Sequence, residues 1–220
     1  MKSCKYCQGK CIRKGYYRGT QKYRCIQCDK YHRSVYRQKR YSKSNEQEVV
    51  VLNNEGVGIS SMSRILRLPK STVQMLIRRA SGRIQKNDLQ EKRQIYELDE
   101  MYTFIGNKDH PCYIIYAINR QTRKVVEFTT VSRTKESIGI LVRKLMSLFP
   151  RRIYTDRLPV YRSLIPANLH KILPYQTNRI ERKNLTIRTH LKRLSRMTIG
   201  FSKSEVMLGS CFGLYVTQKE

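Results

Sequence analysis

Two Cys-x-x-Cys pairs, Cys4-Lys5-Tyr6-Cys7 and Cys25-Ile26-Gln27-Cys28, stand in the first 28 residues with seventeen residues between them. Thiolates two residues apart reach a single ion, and two such turns complete a tetrahedral zinc site. Between them, GYYRGTQKYR carries turn-forming Gly15 and Gly19 among β-prone tyrosines, which predicts a short hairpin. Residues 1–40 therefore read as a zinc ribbon, a module with too little apolar surface to fold without its structural Zn2+. The alternative is four unlinked structural cysteines. Cys11 and His32 are spare potential ligands, either of which stands ready to replace one of the four. Seven cysteines in all, five of them in the first 28 residues and no export signal before them, favour metal over disulfides.

The rest of the chain must accommodate an extreme charge. Lys and Arg number 45 against 16 acids, a formal net charge of +29. Such an excess says little about fold and much about partners, which should be polyanionic. No run of eighteen apolar residues exists, so no membrane helix is expected, and the first thirty residues are too polar for a signal peptide. The expectation is a cytoplasmic protein that acts on DNA or RNA. The 220 residues leave room for one sizeable core and one or two small modules.

Residues 44–82 read as a helix-turn-helix domain. Ser44-Asn45-Glu46-Gln47 predicts a capped helix start, and Asn54-Glu55-Gly56 its end. A second helix is expected over about 59–66. After the break at Leu68-Pro69-Lys70, Ser71 is expected to cap a third helix, 71–80, with Val73, Leu76, Ile77 and Ala80 inward. Thr72, Gln74, Met75, Arg78 and Arg79 are then left outside, where amide and guanidinium groups address base edges. Ser71 or Thr72 would address phosphate. The alternative is a helical linker module with solvated charges. Residues 83–92 are polar and charged, and read as a linker.

From residue 93 the periodicity changes. QIYELDEMYTFIG alternates, HPCYIIYAINR is an apolar run, and KVVEFTTV follows the turn Asn119-Arg120-Gln121-Thr122. Three strands on short turns predict an antiparallel meander. Residues 137–149 form an amphipathic helix with Ile138, Leu141, Val142, Leu145 and Leu148 inward, and RRIYTD is a further strand. The fold class expected of residues 93–220 is α/β, a mixed sheet with helix cover. Asp99 lies within the first strand on the face of Glu97 and Met101, and Asp156 ends the later strand. A carboxylate in an apolar strand is costly unless something positive meets it. Each aspartate alone could pair with one of the basic residues. If the two strands are neighbours, the aspartates converge.

One further stretch, Asn178 to Ser202, reads as a helix because Ile180, Ile187, Leu191 and Leu194 recur at helical spacing. Seven Lys or Arg residues lie between Asn178 and Arg196, with Glu181 the single acid. Arg182, Lys192 and Arg193 are candidate backbone contacts for nucleic acid. Glu181 is either a surface ion-pair residue or the holder of a cation, and with Asp99 and Asp156 it would complete an oxygen-rich site for Mg2+.

The chain resembles transposases of the insertion sequence 1 family over nearly its whole length. The resemblance rests on CKYC and CIQC, on VGISSMSRILRLPKSTVQMLIRRA, on ELDEMYTFIG, and above all on NRIERKNLTIRTHLKRLSRMTIGFS. It implies a ribonuclease-H-like catalytic domain with an Asp-Asp-Glu triad that uses Mg2+ (or Mn2+) to cut and rejoin DNA ends. Carried over residue by residue, the triad is Asp99, Asp156 and Glu181, and the basic residue seven positions after the glutamate is Arg188, expected to hold a phosphate. Double-stranded DNA, both element ends and target, is the implied partner, handled by a homodimer or larger assembly. The alternatives are a non-catalytic repressor and a structure-specific nuclease of the same fold. After Asp156 the sequence runs Arg157-Leu158-Pro159-Val160-Tyr161. The tyrosine fits the family pattern and the Leu-Pro departs from it.

Overall fold

The computed structural model describes residues 2–35, 42–84, 92–131, 133–173 and 176–218. The linker expected at 83–92 falls mostly outside them. The chain forms two compact units, residues 1–41 and 42–220.

In the first unit β1 (Cys11–Tyr17), β2 (Thr20–Cys25) and β3 (Tyr31–Arg33) form an antiparallel sheet in that order. Tyr17 pairs with Thr20 across a two-residue turn in which Arg18 and Gly19 both take positive φ, 49° and 72°. That turn matches the twist of a hairpin. Gly15, at φ 70°, sits where the β1–β2 register slips, the backbone a bulge asks of glycine.

The second unit opens with α1 (Lys43–Asn54), α2 (Ile59–Ile65) and α3 (Lys70–Ser81). Two expected starts are corrected. Ser42 caps α1, in a reciprocal box with Asn45, so the helix begins before Ser44. Ser71 caps nothing, because α3 already begins at Lys70 behind Pro69.

The sheet follows: β4 (Ile95–Phe104), β5 (Pro111–Asn119), β6 (Val125–Val131), β7 (Arg152–Tyr154) and β8 (His170–Lys171), in the order β6-β5-β4-β7-β8. β4 to β6 are antiparallel, whereas β7 runs parallel to β4 and to β8. Between β6 and β7 lies α4 (Lys135–Met146), and between β7 and β8 α5 (Pro159–Leu164). α6 (Asn178–His190) and α7 (Glu205–Gln218) close the chain.

Both sheet faces are covered, which is why β5 reads as an apolar run. On one face Tyr96, Leu98, Ile115 and Ala117 pack with Ile138, Leu141, Val142 and Leu145 of α4. On the other, Met101, Ile114, Tyr116 and Ile118 pack with Ile180 and Ile187 of α6 and with Leu208, Phe212 and Tyr215 of α7. At about 1.5–3 kcal/mol for each such side chain, these two layers hold the unit together.

The stretch expected to be helical from Asn178 to Ser202 ends at His190. Leu191 turns extended (φ −87°, ψ 92°), and a 3₁₀ turn, Lys192–Leu194, follows. Leu191 and Leu194 stay buried in the new direction, so helical spacing alone did not reveal the break.

Helices α1 to α3 share this core rather than standing apart. The Asn53 amide donates to the Cys211 carbonyl of α7 across 3.0 Å. In the α1–α2 turn Gly56 has φ 73°, and a Cβ there would come within 2.0 Å of the His190 carbonyl oxygen. Cys211, Phe212, Leu214, Tyr215 and Val216 are all buried, so α7 has apolar neighbours on every side.

Candidate active site

β7 pairs with β4 only along residues 95–97 of the latter. Beyond that point the β4 edge is open, and Asp156, two residues past β7, enters the gap. There the carboxylate oxygens of Asp99, Glu100 and Asp156 lie within 4.8 Å of one another. Asp99 and Asp156 thus meet, as the sequence predicts for adjacent strands. The third member is Glu100.

Each carboxylate is positioned by neighbours. Asp99 accepts from the Glu100 backbone N–H at 2.8 Å and from Asn184 Nδ2 of α6 at 2.7 Å. The Tyr116 hydroxyl donates to Asn184 Oδ1 at 2.8 Å, which sets the amide's orientation. Glu100 accepts from the Tyr161 hydroxyl and lies 3.6 Å from Arg133. Asp156 accepts from the Leu158 N–H at 3.0 Å. The departure Leu158-Pro159 has a structural use: Pro159 opens α5 directly after Leu158, and two residues on Tyr161 meets Glu100.

Burial, and then the charges of Glu100 and Asp156, push the Asp99 carboxyl up to about 7 from its ordinary 3.8, against the opposing pull of the Glu100 N–H and Asn184. Burial and the Asp156 charge raise Glu100 too. Three crowded carboxylates, two of them reluctant to ionise, are the donor set a hard divalent cation satisfies. The residues fit such an ion.

Glu181 is not a member of that cluster. It sits exposed in the first turn of α6 and accepts from the Thr177 hydroxyl at 2.9 Å. It stands one helical turn before Asn184, and residues three apart share a flank. That flank is the one α6 turns to Asp99.

Fully buried Glu97 sets where α6 begins. Its Oε2 accepts from the Ile180 N–H at 3.0 Å, while Oε1 lies 3.3 Å from Arg120 and 3.5 Å from Arg179. A carboxylate at a helix N-terminus is favourably placed, although burial still raises its pKa.

Arg188 donates to two backbone carbonyls, of Leu194 at 2.9 Å and Tyr102 at 3.0 Å. In this arrangement it braces the break after α6 against β4. Burial lowers its pKa from the ordinary arginine value.

Of the residues expected to meet nucleic acid, Ser71, Arg78 and Arg79 are exposed on α3, and Gln74 is half-buried. Arg79 lies 3.4 Å from Glu46 of α1. Thr72 is a correction: it is buried at 7 % exposure, because it stands one helical turn before Leu76 and shares that residue's buried flank. Arg182 is exposed on α6, Lys192 is exposed in the 3₁₀ turn, and Arg193 is half-buried and donates to Ser202 Oγ at 3.2 Å.

In the first unit, Cys4 and Cys28 sulfurs are 3.6 Å apart and those of Cys7 and Cys25 3.4 Å, with all four inside 4.8 Å. A Zn–S bond near 2.3 Å asks for sulfurs roughly 3.8 Å apart in a tetrahedron. The four sulfurs fit zinc.

Glu100, Asn184, Tyr161 and Glu97 were missed as site residues in the sequence. Strict alternation assigns Glu100 to the α4 face, away from Asp99. The tandem Asp99-Glu100 was the available signal.

Residues 93–220 match the IS1 transposase family. Over 124 residues, 56% of this chain, the sequence is 37% identical to the insertion element IS1 4 protein InsB of Escherichia coli K12, covering 74% of that protein. It is 36% identical over the same length to the insertion element IS1 protein InsB of Shigella sonnei, covering 94% of it. Among solved structures, a chain of the simian T-cell lymphotropic virus intasome in complex with PP2A regulatory subunit B56 gamma superposes with a TM-score of 0.40 at 14% identity, over 75% of this chain and 67% of that one.

Proposed function

Since the chain belongs to the IS1 transposase family, we propose that it binds the ends of an insertion element and carries out divalent-metal-dependent strand cleavage and strand transfer. The observation that carries this reading is the convergence of Asp99, Asp156 and Glu100 at the open edge of β4. Meander strands followed by two parallel strands support a ribonuclease-H-like core.

Asp99 and Asp156 would hold Mg2+ or Mn2+, with Glu181 as third ligand by family position and Glu100 as third by proximity. The metal, when bound, supplies activation of the attacking oxygen and stabilisation of the leaving oxygen in phosphodiester displacement. The chain's own residues do the rest. Asn184 and the Glu100 N–H aim the Asp99 oxygens, and Tyr161 fixes Glu100. Glu181, exposed and accepting from the Thr177 hydroxyl, would be the ligand that α6 contributes to such an ion. Arg188 holds the geometry after α6.

Ser71, Gln74, Arg78 and Arg79 on α3 read the element ends. Arg182, Lys192 and Arg193 grip the backbone close to the carboxylates. The four-cysteine unit, tied by zinc, assists on DNA. Two ends must be held together for strand transfer, so a homodimer or larger assembly is expected on the nucleoid.

The test is transposition of a marked element in cells with wild type and Glu181→Gln, alongside binding of element ends. Movement with wild type, and none with a variant that still binds, supports the reading. Equal activity removes Glu181 from the metal site. Cleavage without joining in vitro would make the protein a nuclease, and binding without any cleavage a repressor.

A further inference from the structure

The N-terminal sheet brings together a second set of ligand atoms. Cys11 on β1 pairs with Cys25 on β2, and Tyr23 on β2 pairs with His32 on β3. Residues 23 and 25 point to the same face of a strand, and directly paired residues share a face, so Cys11 and His32 meet on that face from opposite sides of β2. Cys11 Sγ lies 3.3 Å from His32 Nε2. Both are nearly covered, at 9 % and 4 % exposure. With Cys4 Sγ they form a trio whose ligand atoms fall within 4.8 Å of one another.

We infer that Cys4, Cys11 and His32 form a second metal site, and that the unit takes two thiophilic dications bridged by the Cys4 thiolate. A thiolate sulfur keeps lone pairs enough to bind two ions. Sulfur and imidazole nitrogen are the donors of a zinc-type site.

Three protein donors leave one tetrahedral position open. Cys4 and His32 line a cavity of about 480 Å³ that Lys2, Lys5 and Arg33 line as well. A fourth position facing this cavity would accept a water or an anionic oxygen. The inference goes beyond the catalytic reading and does not depend on it.

The test is titration of the metal-free, reduced full chain with Co2+, following the sulfur-to-cobalt charge-transfer absorption. Carboxylate-bound cobalt does not contribute to that band. The expected break is at two equivalents per chain for wild type and at one for Cys11→Ser and His32→Ala, with His32→Cys restoring two. Zinc content by mass spectrometry of the folded protein should give the same counts. A wild-type break at one equivalent overturns the proposal, whether or not Cys11→Ser alters it. So does a break at two that neither substitution changes. No charge-transfer band at all would overturn the four-cysteine site along with it.

Discussion

Asn184 donates from Nδ2 to Asp99 Oδ2 across 2.7 Å and stands three residues after Glu181 on α6. One amide thus ties the strand carboxylate Asp99 to the helix that carries Glu181. Groups that orient metal ligands typically contribute 10–100-fold in affinity or activity. Asn184→Ala is therefore expected to weaken Mg2+-dependent cleavage by about that factor, with element-end binding intact. Cleavage assayed over a Mg2+ series checks it. A variant whose Mg2+ requirement matches wild type would show that the amide has no part in metal binding.

The two glutamates make opposite claims on the third ligand position. Glu100 is close to both aspartates now, and Glu181 shares a flank with the residue that touches Asp99. We expect Glu181→Gln to abolish strand transfer and Glu100→Gln to reduce it while raising the Mg2+ concentration needed. The informative measurement is cleavage and joining on pre-formed element ends for each variant. If Glu100→Gln is inactive and Glu181→Gln is not, Glu100 is the third ligand.

Stability should depend on pH through Asp99. Its folded carboxyl is held up to about 7 by burial and by its acidic neighbours. A raised acid pKa stabilises the folded state fully below the unfolded value, near about 4, and that contribution is lost as pH rises through the folded value. In chelator, the melting temperature should fall between pH 5 and pH 8, and Asp99→Asn should flatten the fall. Mg2+ should raise the melting temperature more at pH 8 than at pH 5, because protons compete for the same oxygens. Calorimetry at the two pH values decides it; equal Mg2+ effects would place the ion elsewhere.

How much of this was legible beforehand follows from which patterns each element leaves in sequence. Asp99 stood out because a carboxylate interrupts an alternating apolar strand, and its face, shared with Glu97 and Met101, is the one packed on α6. Glu100 did not, because its reach to Asp156 depends on where β7 stops pairing, a tertiary fact. The strand β8, two residues long, is too short to leave a period. α7 went unread for a different reason: buried all round, it shows no single apolar stripe. The same burial hid the docking of α1 and α3 on it, and with it the inward turn of Thr72.

Binding to DNA should be steeply salt dependent, as a net charge of +29 implies. Arg78→Ala and Arg182→Ala should each lower the logarithmic salt slope by about one if the side chain meets a phosphate. If Arg78 instead reads a base edge, its loss costs about 1–3 kcal/mol and relaxes specificity at one position. Anisotropy titrations on element ends and on scrambled duplex, at several salt concentrations, separate the two. Unchanged slopes and specificity in both variants would move the interface off α3 and α6.

The close approach at Gly56 tests whether helices α1 to α3 depend on the sheet and the helices that cover it. With φ at 73° and the His190 carbonyl oxygen only 2.0 Å from where a Cβ would lie, neither backbone nor space allows a side chain. Gly56→Ala must push α1 and α2 off the end of α6. Strain and lost packing together place the cost at about 2–4 kcal/mol. Gly58, the N-cap residue of α2, has nothing within 4 Å of its Cβ position and no positive φ, so Gly58→Ala loses only a cap preference and should cost no more than about 1 kcal/mol. Urea unfolding of the two variants gives the contrast. Equal stability would mean that the helices and the sheet unfold independently, and that the two parts are mechanically separate in this chain.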